Sequence, residues 1–441
     1  MRDAPTAVAA VDLGATSVRV VRVELADDRV THTVVHRLAH SPARDRQGVL
    51  RWDWDAIVRA VHTGLAHAAE AGPLASIGVD TWGVDYGLLD GTGALLADPV
   101  SYRDDRTRDF RTVIDRIGAR RLFEIAGLQE VAINTIFQLA AHDPHELGAA
   151  ATILMLPELV VHHLTGTVTG ERTSAGTTGL LDAATAQWSA PLAEAIGLAP
   201  SLLPHLAEPG TLCGTYGGVP VRLVGGHDTA SAVVAGATDG APFVATGTWL
   251  LVGCERSLPN RSAAAHDAGF SNEQGTFGDI RFLRNVAGWW LIEECRREWG
   301  EADTVALVEA AADAPPPPQT FDATDERFLA PASMSTEIRN AAHLAPNAPH
   351  PHVVRAALES MAATVARVLD ALSPHDELRV FGGAARSGVF VELLSRHTGT
   401  RITTGPAEAA ALGNAVTQGV ALGIYESQAS ARAALDEGAR T

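Results

Sequence analysis

Apolar and polar positions follow two different periods along the chain, and they predict both strands and helices. Residues 7–13 form an apolar run that contains Asp12, a small-residue turn follows at 14–17, and a second apolar stretch covers 18–25. This pattern predicts a β-hairpin whose tip carries the hydroxyls of Thr16 and Ser17. Residues 243–253 repeat the plan with Thr248 at the tip. Two such units, one in each half of the chain, predict a duplicated domain.

Stretches with a period near 3.6 residues predict amphipathic helices between the strands. We expect helices at 54–71, 109–127, 134–140, 230–235, 289–299, 353–372, 389–397 and 408–419, and a helix within 153–164 that begins near Pro157. Short apolar runs predict further strands at 34–39, 77–80, 221–224, 279–284, 378–381 and 401–404. Strands that alternate with helices indicate an α/β protein.

One carboxylate stands where a predicted strand gives way to a predicted helix. The stretch Gly225-Gly226-His227-Asp228-Thr229 separates the strand 221–224 from the helix at 230–235. Parallel α/β proteins place reactive groups at such junctions, where helix N-terminal amides face the loop. On these residues alone, Asp228 has two interpretations: a helix N-cap, or a catalytic carboxylate.

Three other stretches leave two interpretations open. The first hairpin is either a plain turn or a phosphate loop, and Asp12 favours the phosphate loop because an acid there is costly to bury unless it is paired or holds a cation. Trp82, in the strand break at 81–83, is either a wall that stacks on a sugar or a structural residue of a β core. The polar loop 171–179 either lines a site or solvates a turn. A turn at 90–93 predicts a hairpin after residue 89.

Composition narrows the classes of function. The chain has 441 residues, 46% hydrophobic and 20% charged, which is enough for two or three globular domains. No apolar run is long enough for a membrane span, and the first residues lack a signal-peptide pattern. The net charge of −18 argues against nucleic acid or an anionic membrane as a partner. The three cysteines are far apart and form no CxxC pair, which favours a reducing cytoplasm and no structural zinc.

The absence of lysine excludes two mechanisms. All 34 basic residues are arginine. A GxxxxGK[ST] phosphate loop needs a lysine on the β- and γ-phosphates, and Schiff-base chemistry needs a lysine amine. A nucleotide must therefore be held by backbone amides, hydroxyls, arginine and a metal ion.

Taken in order, these stretches resemble the FGGY carbohydrate kinases over nearly the whole chain. Residues 11–17 resemble the first phosphate loop of the family, 227–232 its catalytic loop, 247–249 its second phosphate loop, and 381–383 its adenosine motif. The stretch 78–85, Gly-Val-Asp-Thr-Trp-Gly-Val-Asp, resembles the sugar-binding motif of the subfamily that acts on L-rhamnulose, and so do 272–273 and 284–288.

The resemblance implies two actin-like (ribonuclease H-like) domains, 1–238 and 239–441, with the active site in the cleft between them. It implies a cytoplasmic, ATP- and Mg²⁺-dependent kinase, monomeric or homodimeric, that phosphorylates the 1-hydroxyl of L-rhamnulose in L-rhamnose breakdown. Asp228 is then the general base, and the sugar contacts are Gly83, His227, Asp228, Thr229 and Asn285. The nucleotide contacts are Ala15, Thr16, Ser17, Val18, Arg19, Thr248, Glu293 and Gly383. Asp12 is the candidate metal residue, because Mg²⁺ prefers oxygen ligands and keeps much of its water shell.

The chain departs from the family pattern at three positions. Val18 stands where the subfamily has a glycine before the arginine, Ala384 replaces a third glycine of the adenosine motif, and Glu293 replaces a glutamine. Two other functions remain open. One is an FGGY kinase for L-fuculose, L-xylulose or L-ribulose, and the other is a non-catalytic actin-like sugar sensor.

Overall fold

The computed structural model describes residues 5–238, 240–329, 331–372 and 375–438, without the side chains of 436–438. Residues 1–4, where the sequence lacks a signal-peptide pattern, and residue 239, where the predicted second domain begins, lie outside the described part. The predicted division at 238/239 stays a prediction.

The strands are bounded as follows: β1 Thr6–Gly14, β2 Ser17–Ala26, β3 Arg29–Ala39, β4 Ala43–Arg44, β5 Leu50–Arg51, β6 Ser76–Thr81, β7 Tyr86–Leu89, β8 Thr152–Met155, β9 Gly170–Glu171, β10 Leu181–Asp182, β11 Gln187–Trp188, β12 Leu206–Ala207, β13 Leu212–Tyr216, β14 Val219–Arg222, β15 Phe243–Thr246, β16 Trp249–Arg256, β17 Ser271–Gln274, β18 Ile280–Ala287, β19 Glu377–Gly382 and β20 Arg401–Thr404.

The α-helices are bounded as follows: α1 Trp54–Glu70, α2 Arg111–Ile117, α3 Ala119–Ala126, α4 Thr135–Ala140, α5 Pro144–Ala149, α6 Leu156–Thr165, α7 Arg172–Ala175, α8 Ala190–Ala195, α9 Asp228–Gly236, α10 Ala263–Asp267, α11 Trp290–Trp299, α12 Thr304–Ala310, α13 Met334–Ala341, α14 His350–Leu369, α15 Gly388–Thr398, α16 Ala409–Ala421 and α17 Gln428–Gly438.

The described chain divides into two compact units. Unit 1 holds the residues up to Ala235, the segment Arg256–Phe282 and the residues from Ala409 onward. Unit 2 holds Gly236–Glu255 and Leu283–Glu408. Unit 1 is therefore assembled from three separate stretches of the sequence.

The main sheet of unit 1 has the order β13-β14-β6-β1-β2-β3. Strand β1 pairs antiparallel with β2 and parallel with β6, and β6 pairs parallel with β14. Alternate residues of β1 face opposite sides: Ala9, Val11 and Leu13 join a core with helices α1 and α6. Val8 and Ala10 join a second core with α16 and α17. The sheet is therefore covered on both faces, which explains the nearly continuous apolar run of β1.

Unit 2 repeats this plan. Its strands follow the order β18-β16-β15-β19-β20, with β15 antiparallel to β16 and parallel to β19, and β19 parallel to β20. In unit 2, strand β15 of the hairpin thus pairs with the first of two parallel strands, as β1 does in unit 1. The predicted α/β class and the duplicated hairpin plan are confirmed.

Several predicted elements differ from the observed ones for local reasons. Residues 109–127 form two helices, because Gly118 has φ +88° between α2 and α3. Residues 152–155 form strand β8 before helix α6 begins. The turn after residue 89 closes only a single bridge, from Leu89 to Leu95, and β7 takes β8 as its strand partner. Strand β18 continues to Ala287, beyond the predicted end at residue 284, so residue 285 lies in the strand.

Among the described residues, no helix is both long enough and apolar enough to cross a lipid bilayer.

Candidate active site

Helix α9 begins at Asp228, directly after the Gly225–Gly226 turn that follows β14. The carbonyl of His227 accepts hydrogen bonds from the amides of Ala230 and Ser231, so His227 stands at the N-cap. Asp228 is the first helical residue. It therefore lies one position after the N-cap and does not have the N-cap role that was one of its two interpretations. Its side chain is 29% exposed, and its Oδ1 accepts a hydrogen bond from Thr229 Oγ1 at 3.1 Å. The carboxylate is therefore available for chemistry.

Buried carboxyl and hydroxyl groups hold the backbone of this loop. Glu171 Oε2 accepts the Gly226 amide at 3.0 Å, and Thr173 Oγ1 accepts the His227 amide at 3.2 Å. Thr173 Oγ1 in turn donates to Glu171 Oε2 at 2.5 Å. Burial raises the pKa of Glu171, and Glu158 beside it has a pKa well above its usual range for the same reason. The polar loop 171–179 therefore supports the turn that precedes α9 and does not solvate an exposed turn.

Gly83 lies against the imidazole of His227. A Cβ on Gly83 would stand 3.2 Å from His227 Nε2 and from Thr177 Oγ1, so only glycine fits without a shift. The next residue, Val84, has φ +70°, which is strained for a β-branched residue. Thr177 Oγ1 accepts the Val84 amide at 3.3 Å, and Thr135 Oγ1 donates to the Val84 carbonyl at 2.8 Å. These contacts hold the strained turn against His227.

A buried ion pair lies behind the same imidazole. Arg281 is fully buried, and its Nη1 is 3.0 Å from Glu273 Oε2. Its Nη2 is 3.1 Å from His227 Nδ1, while His227 Nε2 is 3.4 Å from Asp228 Oδ1. Burial alone would raise the pKa of Glu273, but the charge of Arg281 holds that pKa below its usual range.

Trp82 has a structural role. Trp82 is 5% exposed, and its ring centroid lies 4.5 Å from that of Trp52 and 5.5 Å from that of His40. The indole N–H groups of Trp82 and Trp52 both donate to Asp85 Oδ2, at 2.9 and 2.7 Å. The interpretation of Trp82 as a sugar-stacking wall is therefore not supported, and the motif 78–85 builds a buried aromatic cluster beside the site.

Asp85 gives this cluster a defined pH dependence. Burial raises the pKa of Asp85 to about 6, against 3.8 for an unfolded chain, although the two indoles favour ionisation. Its contribution to stability is fully present below pH 3.8 and is lost as pH rises through 6. At about 1.4 kcal/mol per pH unit, the loss by pH 7.5 is about 3 kcal/mol.

We expect Asp85→Asn to remove this pH-dependent contribution. The free energy of unfolding of the variant, minus that of the wild type, should rise by up to about 3 kcal/mol between pH 4 and pH 7.5. Urea unfolding at several pH values measures this difference. A difference that stays constant with pH would show that Asp85 does not titrate in this range in the folded protein.

Asp12 and Asp80 are partners in the parallel register of β1 and β6. Both are fully buried, and Arg19 Nη2 is 2.8 Å from Asp12 Oδ2. Burial first, and the charge of Asp12 second, hold the pKa of Asp80 well above its usual range. Asn414 Nδ2 donates to Asp80 Oδ2 at 2.6 Å, whereas Asp80 Oδ1 has no hydrogen-bond partner among the described residues.

This carboxylate pair fits a divalent cation. Asp12 and Asp80 repel each other, and Asp80 Oδ1 is an orphaned buried oxygen that a cation would satisfy. Within the described chain, no three His, Cys, Asp or Glu side chains form a closed metal cluster. The donor set therefore suits an ion that retains water, as Mg²⁺ does.

The tip of the first hairpin is open. Thr16 is exposed, Ala15 and Ser17 are half-buried, and the His40 amide and ring bind the carbonyls of Thr16 and Gly14. The side chain of Val18 is fully buried in the core. The departure at Val18 therefore places no side chain at the tip.

Comparisons with known proteins identify the family of the chain. Residues 7–242 match the N-terminal domain of the FGGY family of carbohydrate kinases, and residues 243–422 match its C-terminal domain. The chain belongs to this family. It is 33% identical to the rhamnulokinase of Enterococcus faecalis, over 96% of this chain and 91% of that protein. It is 35% identical to the rhamnulokinase of Halalkalibacterium halodurans, over 96% of this chain and 95% of that protein.

Solved structures share the fold of this FGGY kinase. The xylulose kinase of Lactobacillus acidophilus superposes with a TM-score of 0.77 at 15% identity, over 99% of this chain and 95% of that one. The glycerol kinase of Plasmodium falciparum with ADP superposes with a TM-score of 0.76 at 16% identity, over 98% of this chain and 92% of that chain. The shared fold confirms the predicted pair of actin-like α/β domains. The match to both FGGY domains makes the protein an ATP-dependent carbohydrate kinase.

In unit 2 of the kinase, the second hairpin tip is Gly247-Thr248, between β15 and β16. The Trp290 amide binds the Thr248 carbonyl at 3.1 Å. Gly288 packs so closely on the tip that a Cβ there would lie 2.8 Å from the Trp249 carbonyl carbon. Thr248 itself is half-buried.

The remaining nucleotide and sugar candidates of the kinase also lie in unit 2. Gly383 begins a short turn after β19, and Asn285 is half-buried in β18. Ala384, where the family has glycine, donates its amide to Thr246 Oγ1 at 3.0 Å. Glu293 binds Arg296 at 2.9 Å and also accepts from Thr304.

Sequence reasoning missed three supporting residues of the candidate site. Glu171 and Arg281 are distant in sequence from Asp228, and the pairing of Asn414 with Asp80 spans most of the chain. Arg281 lies in an apolar strand, between Ile280 and Phe282. A charged residue inside such a run was the available signal, because a buried arginine needs partners.

Proposed function

We propose that this kinase transfers the γ-phosphoryl group of ATP to the 1-hydroxyl of L-rhamnulose, giving L-rhamnulose 1-phosphate and ADP. The observation that carries the proposal is the cluster of Gly83, His227, Asp228 and Thr229 at the start of α9. The relatives named rhamnulokinase, at 33–35% identity over most of their lengths, support the choice of sugar. The reaction is a step of L-rhamnose breakdown, in the cytoplasm.

Asp228 is the proposed general base. Its carboxylate is partly exposed at the first turn of α9, where the free amides of the helix also attract a phosphate group. It accepts the proton of the 1-hydroxyl as that oxygen attacks the γ-phosphorus. The Thr229 hydroxyl, 3.1 Å from Asp228 Oδ1, fixes the direction in which the carboxylate points.

The other proposed sugar contacts orient the hydroxyl for attack. Gly83 has no side chain that would crowd the His227 ring, and His227 and Thr229 offer a ring N–H and a hydroxyl. Asn285 supplies an amide from strand β18. Orientation of this kind accounts for much of the rate in phosphoryl transfer, because the reaction needs little covalent help from the protein.

The hairpin tips are the proposed phosphate contacts. Ala15 to Arg19 and Thr248 present amides, hydroxyls and a guanidinium to the phosphates, and Gly383 and Glu293 are proposed to lie at the nucleotide. Asp12, with Asp80 beside it, is the proposed site of Mg²⁺, which when bound neutralises charge on the phosphates. No lysine is needed for this arrangement.

A panel of ketoses tests the proposal. With an assay that couples ADP release to a spectroscopic signal, we expect kcat/KM to be highest for L-rhamnulose. L-fuculose, L-xylulose and L-ribulose should be poorer substrates, although a single methyl or epimer is worth only about 10- to 200-fold. A higher kcat/KM for one of them reassigns the sugar. ATP consumption with none of them would favour the non-catalytic sugar sensor.

A further inference from the structure

We propose that Arg281, held by Glu273, is a positioning residue that fixes the tautomer of His227, so that His227 presents Nε2–H to the substrate. The inference rests on the proposed function only for the identity of the substrate. The structural part concerns a buried cluster of three side chains, which we call the tautomer clamp: Arg281, Glu273 and His227.

The direction of the hydrogen bonds follows from the chemistry of arginine. A guanidinium has only N–H donors and stays protonated. Arg281 Nη2 is 3.1 Å from His227 Nδ1, so Nδ1 must be the acceptor and must carry no proton. A neutral imidazole with an unprotonated Nδ1 has its proton on Nε2.

Glu273 could have set the opposite tautomer by accepting a proton from Nδ1. However, Glu273 Oε2 is 3.5 Å from His227 Nδ1, which is farther than Arg281 Nη2 at 3.1 Å. The same oxygen is 3.0 Å from Arg281 Nη1. The carboxylate therefore neutralises Arg281 and leaves Nδ1 to the guanidinium. Arg281 Nε also donates to the carbonyl of Gln274 at 3.1 Å, which fixes the plane of the guanidinium.

The far side of the ring faces the proposed sugar contacts. Nε2 is 3.4 Å from Asp228 Oδ1, and it lies 3.2 Å from the position that a Cβ of Gly83 would take. The negative charge of Asp228 also favours the proton on Nε2. The clamp thus places a hydrogen-bond donor beside the catalytic carboxylate, where it can hold a sugar oxygen while Asp228 binds the reacting hydroxyl.

Nitrogen NMR of the wild-type protein tests the tautomer without any substrate. With ¹⁵N-labelled histidine, and with His227→Gln to assign the signals, long-range ¹H–¹⁵N spectra distinguish protonated from unprotonated ring nitrogens. We expect an unprotonated Nδ1 and a protonated Nε2 for His227. A protonated Nδ1, or an averaged mixture of tautomers, overturns the proposal.

A paired variant tests the positioning role. Arg281→Met combined with Glu273→Leu removes the ion pair without leaving a buried charge, a change that is often tolerated. We expect His227 to lose its single tautomer and the ketose KM to rise about 10-fold, the loss of roughly one hydrogen bond. The KM for ATP should stay unchanged. A fixed tautomer in the variant, or an unchanged ketose KM after the tautomer is lost, contradicts the role.

A matched control removes a buried pair elsewhere. Arg355 and Glu359 in α14 form an ion pair at 2.8 Å, and Glu359 also binds a histidine, His397. The double variant Arg355→Met/Glu359→Leu should keep the His227 tautomer and the ketose KM of the wild type. If the enzyme phosphorylates no ketose, the proposed function fails, while the NMR result still decides the clamp.

Discussion

Replacing Asp228 by asparagine is expected to reduce turnover by about 10²- to 10⁴-fold or more, while ATP and sugar still bind. The amide has nearly the same shape but cannot accept the proton of the attacking hydroxyl. Asp228 is partly exposed and makes its one described side-chain hydrogen bond with Thr229, so we expect little change in stability. Steady-state kinetics, with calorimetric binding of ATP and ketose, measures both effects.

Asp53→Asn is the matched control for this variant. Asp53 caps α1 by accepting the amide of Ala56, and asparagine caps equally well. Its turnover should equal that of the wild type. Near-normal turnover in Asp228→Asn would remove Asp228 from the mechanism.

Replacing Gly413 by alanine is expected to lower the free energy of unfolding by about 3 kcal/mol or more. A Cβ on Gly413 would lie 1.7 Å from the carbonyl oxygen of Ser231. Both atoms belong to main-chain positions of helices, α16 and α9, so neither can move as a side chain would. Because α9 begins with Asp228 and α16 carries Asn414, separating the helices also disturbs the site. Urea unfolding and steady-state kinetics measure the two effects.

Gly148→Ala is the matched control for this change. Gly148 lies in helix α5 of the same unit, and a Cβ there meets no atom within 4 Å. Alanine should leave stability equal or raise it by up to about 1 kcal/mol, because it restricts the unfolded chain. Wild-type stability in Gly413→Ala would mean that α9 and α16 do not pack as closely as the structure shows.

Several elements of the fold were predictable because their signals are local. The small-residue tips of both hairpins, the Asp53 cap of α1 and the glycines before His227 follow from neighbours in sequence. The same holds for the order of strands and helices that indicates an α/β fold. The helix at 109–127 was predicted as one, because a glycine with positive φ inside a periodic stretch leaves no distinct pattern.

The partners of the site residues were not predictable from local patterns. Trp82 was open to two interpretations until the structure placed its N–H, with that of Trp52, on Asp85. Nothing in the loop 171–179 indicates that Glu171 holds Gly226, more than 50 positions away. These contacts depend on the packing of segments that are distant in sequence.

The sequence by itself determined the class of fold, the family, the absence of a lysine-based nucleotide site and the candidate base, Asp228. The tertiary structure alone decided what surrounds that base: Gly83 against the His227 ring, and Arg281 and Glu273 behind it. The physical reason is that propensity, capping and turn chemistry act within a few residues. The burial of a charge such as Arg281 is stable only with partners that long-range packing brings to it.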